Sequence, residues 1–198
     1  MILYANGDSH TAAAEAYVPF MSAQDDFNLW YMGNVAHPEN QKVSFAAHLS
    51  ETLKSRFFMA AANGSSNDRI IRTTREFVEQ YKDQEELFVL IGWSSWEREE
   101  WEIDGKFYQI NSSGHEAFPE EYQTKYKEWV ISLPDIIMDK QFDQHQRIAQ
   151  LHYDLQDKGI KHLFFNACNA FNRFPEEHKI NWEDRKSTRL NSSHIPLS

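Results

Sequence analysis

A single cysteine, Cys168, excludes an internal disulfide and leaves no thiolate set for a zinc centre. The 198-residue chain has no run rich in Lys and Arg, and its formal net charge is −10. That balance argues against a surface built for nucleic acid or for an anionic membrane. No apolar run approaches the length of a membrane-spanning helix. No cleavable leader is expected, because the first apolar run begins at Ile2 and reads as a core strand. Neither an internal repeat nor a low-complexity linker interrupts the chain. The expectation from these absences is a cytoplasmic protein with no membrane, no nucleic-acid partner, no metal and no cofactor.

What is present is core-forming. Hydrophobic residues make up 41% of the chain and aromatics 14%, enough for one domain with a sizeable interior. The organising stretch is Ile2–Thr11, which passes from an apolar run through Asn6-Gly7-Asp8 to Ser9. This reads as a strand, a tight turn and a helix start. Ser9 or Asp8 at such a junction can cap the following helix, or can face a ligand held by free backbone N–H groups.

The rest of the chain alternates helix and strand patterns. A helix is predicted over Thr11–Phe20 and a loop over Ser22–Asn40. Phe45, Ala46, Leu49 and Leu53 predict one amphipathic helix over Gln41–Arg56. Phe57–Ala62 predicts a buried strand ending at Asn63-Gly64, and Asn67 or Asp68 can cap a helix running to about Lys82. Leu87–Gly92 is the clearest strand. Trp96–Ile110 holds two alternating segments about Asp104-Gly105, a hairpin signal. Helices are predicted over Pro119–Ile131 and from Pro134 to about Lys158, where Gly159 stops the second. His162–Ala167 is the last strand. Strands separated by helices imply right-handed crossovers and a parallel sheet covered on both faces. Residues 93–131 then form an insertion beside its carboxyl edge. Four strands end there in polar residues: Asp8 and Ser9, Asn63 and Gly64, Ser94 and Ser95, and Asn166 and Asn169.

Gly7-Asp8-Ser9 at the end of the first strand resembles the nucleophile motif of the SGNH/GDSL hydrolases. Asn63-Gly64-Ser65-Ser66 after the second strand resembles the block whose glycine N–H serves the oxyanion hole. Val89–Ser95 resembles the third block, with Ser94 where that family carries asparagine. The resemblance implies a three-layer α/β/α fold with a flavodoxin-like parallel sheet, incomplete at its C-terminus. It also implies a serine esterase acting through an acyl-enzyme on an acetylated sugar, a lipid or another ester. Ser9 would be the nucleophile. The N–H groups of Ser9 and Gly64, with the Ser94 hydroxyl, would hold the oxyanion, supported by Asp8 and Asn63. Asn-Gly-Ser-Ser-Asn-Asp-Arg and Gly-Trp-Ser-Ser-Trp-Glu-Arg resemble a phage-associated, marine-type branch, which makes association with a virion the alternative location.

The resemblance also implies a C-terminal Asp-x-x-His, and no histidine here has an acid three residues before it. Asp184–His194 reads Asp-Arg-Lys-Ser-Thr-Arg-Leu-Asn-Ser-Ser-His, which resembles one reading frame of a common sequencing-library adapter. The expected organisation is a single domain over residues 1–183 followed by a non-native tail over 184–198, with the catalytic base beyond the truncation. His10 and His115 are expected to serve packing or surface. Trp93, Trp96, Trp101, Phe107, Tyr108 and Phe118 either line an acyl or sugar pocket or pack the hairpin. Glu97, Arg98, Glu99 and Glu100 are expected to form a solvated face, with Arg98 binding a substrate anion as the alternative. The competing functional readings are a metallophosphatase, disfavoured because no Gly-Asn-His follows, and a non-catalytic phage structural or glycan-binding module on the same fold.

Overall fold

A computed structural model describes residues 1–14, 16, 37–112, 114–115 and 119–167. Half of the predicted Thr11–Phe20 helix and most of the predicted Ser22–Asn40 loop lie outside the described residues, as do Phe118, Cys168, Asn169 and the tail over 184–198.

Four parallel strands form the central sheet: β1 (Ile2–Asn6), β2 (Arg56–Met59), β3 (Leu87–Trp93) and β7 (Lys161–Asn166), in spatial order β2-β1-β3-β7. Between β3 and β7 lie an antiparallel unit of β4 (Glu99–Ile103), β5 (Lys106–Asn111) and β6 (Gly114–His115), and a long helix. The helices are α1 (Pro38–Lys42), α2 (Phe45–Leu53), α3 (Asn67–Tyr81) and α4 (Gln123–Asp157), the last preceded by a 3-10 turn at Glu120–Tyr122. The mixed α/β architecture and the parallel sheet agree with the expectation from the sequence.

The strand period of two sorts the core into two faces. Ile2 and Tyr4 of β1 join Val89 and Ile91 of β3 beneath Ile70, Ile71 and Val78 of α3 and Ile148, Leu151 and Leu155 of α4. Leu3, Ala5 and Leu90 point the other way, against Ala46 and Leu49 of α2, with Phe57, Met59, Leu163 and Phe165 alongside. Helices thus cover both faces. The hairpin carries a separate small core, in which Trp101, Ile103 and Ile110 meet Trp129 and Leu133 of α4.

Several elements differ from the sequence-based expectation. The single helix over Gln41–Arg56 is two, because Ser44 leaves helical geometry and its hydroxyl caps α2 by accepting from Ala47 N at 3.1 Å. Residues 11–14 form turns rather than helix: Ala13 adopts a left-handed φ of 54°, which interrupts any helical ladder. Ser66, not Asn67 or Asp68, caps α3, with its hydroxyl accepting from Arg69 N. Strand β2 is shorter than Phe57–Ala62, although Ala60 N and Ala62 N continue to bond Ala5 O and Gly7 O. Pro134 does not start a helix but lies inside α4. Trp129 and Leu133 are buried on the hairpin, and that packing holds the turn before the proline helical despite the lost N–H donor. Gly159, at φ 68°, follows α4 as expected.

Candidate functional site

The site lies at the carboxyl edge of the sheet, beyond β1, β2 and β3. Register brings its loops level: Asn6 pairs with Ile91 and Ala5 with Met59, so residues just past these positions come side by side.

The end of β1 is anchored first. The Asn6 side chain is fully buried, with Nδ2 within hydrogen-bond distance of Tyr4 Oη, Ile70 O, Thr73 Oγ1 and Thr74 Oγ1, while Oδ1 accepts from Gly7 N at 2.9 Å. Burial raises the Tyr4 phenol above its ordinary pKa. Gly7 and Gly92 leave room for Thr11, whose Oγ1 would lie 2.3 Å from a Cβ at either position. The chain then turns: Asp8 Oδ1 accepts from His10 N at 3.0 Å, and Asp8 O accepts from Ala12 N. Asp8 is fully buried and Ser9 is half-buried. The Ser9 hydroxyl has no hydrogen-bond partner among the described residues.

After β2, Gly64 takes a left-handed φ of 72°, and Ser65 N closes the turn on Ala62 O. Asn63 is buried beside it. After β3, the amide side chain of Asn67 grips Ser94 at both backbone groups: Ser94 N donates to Asn67 Oδ1 at 2.8 Å, and Asn67 Nδ2 donates to Ser94 O at 3.2 Å. Ser94 and Asn67 are both buried.

One side chain connects these loops. Arg98 Nη1 donates to Ser94 Oγ at 2.9 Å and to Ser65 O at 3.5 Å, and it lies 3.6 Å from Asp8 Oδ2. A single guanidinium nitrogen therefore touches the loops carrying Ser9, Gly64 and Ser94. The solvated charge run expected over Glu97–Glu100 is corrected by these contacts. Arg98 points into the site. Glu99 accepts from Trp101 Nε1 at 2.6 Å and Trp129 Nε1 at 2.8 Å, and is paired with Lys140. Burial acts to raise the Glu99 pKa, but those three donors outweigh it and leave the carboxyl below its ordinary value. Glu100 forms a two-bond pair with Arg72, each bond 2.7 Å, and accepts from Gln109 Nε2. The same Gln109 accepts from Ser66 N at 2.9 Å. These bonds fasten the hairpin to the start of α3, beside the loop that carries Gly64.

The inserted aromatics pack. Trp93 and Trp96 belong to the main core and Trp101 and Tyr108 to the hairpin core, while Phe107 is partly exposed beneath the Arg72 guanidinium, 3.9 Å from its ring centre. His10 is exposed, with Nδ1 3.5 Å from Asp8 Oδ1. Among the described residues, no group of three or more His, Cys, Asp and Glu side chains could hold a metal ion. None of the described helices is long and apolar enough to cross a membrane.

The sequence over residues 36–165 matches a family of unknown function (DUF6071). The chain belongs to this family. The DUF6071 region contains Asn63, Gly64, Asn67, Ser94 and Arg98, whereas β1, Asp8 and Ser9 precede it. No curated protein matches the chain.

Sequence reasoning placed Ser9, Gly64 and Ser94 at one sheet edge, and the register brings their loops together. It missed Asn6 and the grip of Asn67 on Ser94, and offered a site role for Arg98 only as the alternative to a solvated face. Only the position of Arg98, four residues after Ser94 and just before the hairpin, offered a signal.

Proposed function

We propose that the protein is a serine ester hydrolase of the SGNH/GDSL type, with Ser9 as nucleophile. The observation that carries the reading is the meeting of three strand-end loops at Arg98 Nη1, which gathers a half-buried serine, a left-handed glycine and a buried serine at one sheet edge. The strand order β2-β1-β3-β7 supports it, since it follows the first four strands of a flavodoxin-like sheet. Ser9 attacks the ester carbonyl, the alcohol leaves, and water hydrolyses the acyl-enzyme. The N–H groups of Ser9 and Gly64 and the Ser94 hydroxyl stabilise the oxyanion. The substrate class is a small-molecule or carbohydrate ester, such as an acetylated sugar or a lipid, and the protein works in the cytoplasm or on a virion. The reading also requires a histidine base oriented by an acid, and neither role is assigned to a described residue.

A second reading, a non-catalytic glycan-binding or phage structural module, is favoured by one observation: Ser9 Oγ has no basic partner among the described residues. One experiment separates the two. The protein is tested for p-nitrophenyl acetate turnover and fluorophosphonate labelling. The hydrolase reading expects both activities, and loss of both in Ser9→Ala. Turnover that survives Ser9→Ala refutes it. Absence of both labelling and turnover in the wild-type protein favours the binding module.

A further inference from the structure

Ser94 departs from the asparagine that the hydrolase reading calls for. Its hydroxyl is shorter than an amide and free to rotate, so alone it makes a poorly aimed donor. The structure supplies what is missing. The backbone of Ser94 is fixed by the two bonds to Asn67, which set where Cβ points. The hydroxyl oxygen accepts from Arg98 Nη1 at 2.9 Å. A hydroxyl whose lone pair is taken by a cation keeps its own proton to donate, and the cation polarises that O–H bond. No acceptor for the Ser94 proton is present among the described residues. Arg98 is itself aimed from two sides, by the buried Asp8 carboxylate 3.6 Å from Nη1 and by Ser65 O. Its Nε is buried and has no hydrogen-bond partner among the described residues.

We propose that Arg98 is the positioning residue of the oxyanion site: it fixes and polarises the Ser94 hydroxyl, so that an Arg–Ser pair takes over the task of an asparagine amide. Asp8 holds the arginine, Asn67 holds the serine backbone, and the Ser94 proton is delivered to the oxyanion. The inference rests on the hydrolase reading of Ser9.

The test is steady-state hydrolysis of p-nitrophenyl acetate by the full natural chain, with melting temperature recorded for every variant. Ser94→Ala and Arg98→Gln should each lower kcat roughly 100-fold, with KM within about threefold of wild type. Because Arg98 acts through Ser94, the double variant should lose no more than the worse single one. Ser94→Asn should restore most of kcat in the Arg98→Gln background, which a merely structural arginine would not permit. Arg98→Lys keeps a cation beside Asp8 on a shorter side chain. It serves if Arg98→Gln fails to fold, and should show the same kcat loss and the same rescue. Multiplicative losses, or an Arg98→Lys kcat within threefold of wild type, overturn the role of Arg98 and leave the hydrolase reading standing. A wild-type chain with no Ser9-dependent turnover overturns both.

Discussion

Acidification should weaken this protein through His145, starting above the pH at which carboxylates titrate. His145 lies on the inner face of α4, only 2% exposed. Burial lowers its pKa from 6.5 to about 4, because the imidazolium cannot be hydrated there. The unfolded chain offers the same side chain an ordinary pKa. Between pH 6.5 and 4 the unfolded state therefore binds more protons than the folded state, and stability falls as pH falls through that window. Relative to pH 7, the loss is about 2 kcal/mol at pH 5 and about 3 kcal/mol at pH 4. For a chain of this size, 2 kcal/mol corresponds to a drop in melting temperature of roughly 4–8 °C. Burial also pushes His162 down, partly countered by its bond to Ile160 O, so the wild-type slope exceeds the share of His145 alone. The assay compares slopes: urea denaturation of wild type and His145→Leu at pH 7 and pH 5. The variant should lose about 2 kcal/mol less than wild type across that interval, whatever its stability at pH 7. Equal slopes would refute the reasoning.

Two further outcomes follow from packing and charge. Gly92→Ala would put a Cβ 2.3 Å from Thr11 Oγ1 and 2.8 Å from a Phe165 ring atom, and should cost about 2 kcal/mol in chemical denaturation. Adding Thr11→Ala should recover part of that, because the buried Thr11 hydroxyl has no partner among the described residues, and no recovery would show that the clash is not with Thr11. Glu99→Gln removes the charge that holds Lys140 and weakens its bonds with Trp101 and Trp129, at a cost of about 1–2 kcal/mol at pH 7 for this partly buried group. Because the folded-state pKa of Glu99 is lowered, its contribution is present above pH ~4.5 and is lost as pH falls further, so wild type and variant should converge in acid.

The parts of the fold legible in the sequence were those written in local pattern. Leu87–Gly92 could only be a buried strand, Asp104-Gly105 could only turn a hairpin, and Gly159 had to end a helix. Elements decided by distant neighbours were not legible. The helix through Pro134 exists because Trp129 and Leu133 find the hairpin, a contact made across sequence rather than along it. Ser66 wins the cap of α3 while Asn67, next to it, is spent on Ser94. The candidate site divides the same way. Ser9, Gly64 and Ser94 each lie in the loop that follows a strand, so strand prediction alone aligned them. Arg98 sits in a run of four charges whose composition suggests solvent, and only the closing of the hairpin onto α3 turns it inward.

The length of α4 governs the order in which the protein can assemble. Its 35 residues run for about 52 Å, and about 39 Å of that separates Trp129 in the hairpin core from Leu155 in the sheet core. All of it is synthesised after β3 and before β7. While the chain emerges from the ribosome, the β7-facing side of β3 stays open until the hairpin has formed and the helix has crossed the sheet. During that interval β3, the most apolar strand of the sheet, presents unpaired N–H and C=O groups to any neighbouring chain. The hairpin and helix thus act as a timer on sheet closure, and a defect in their small core lengthens the period in which a nascent chain can join the wrong partner.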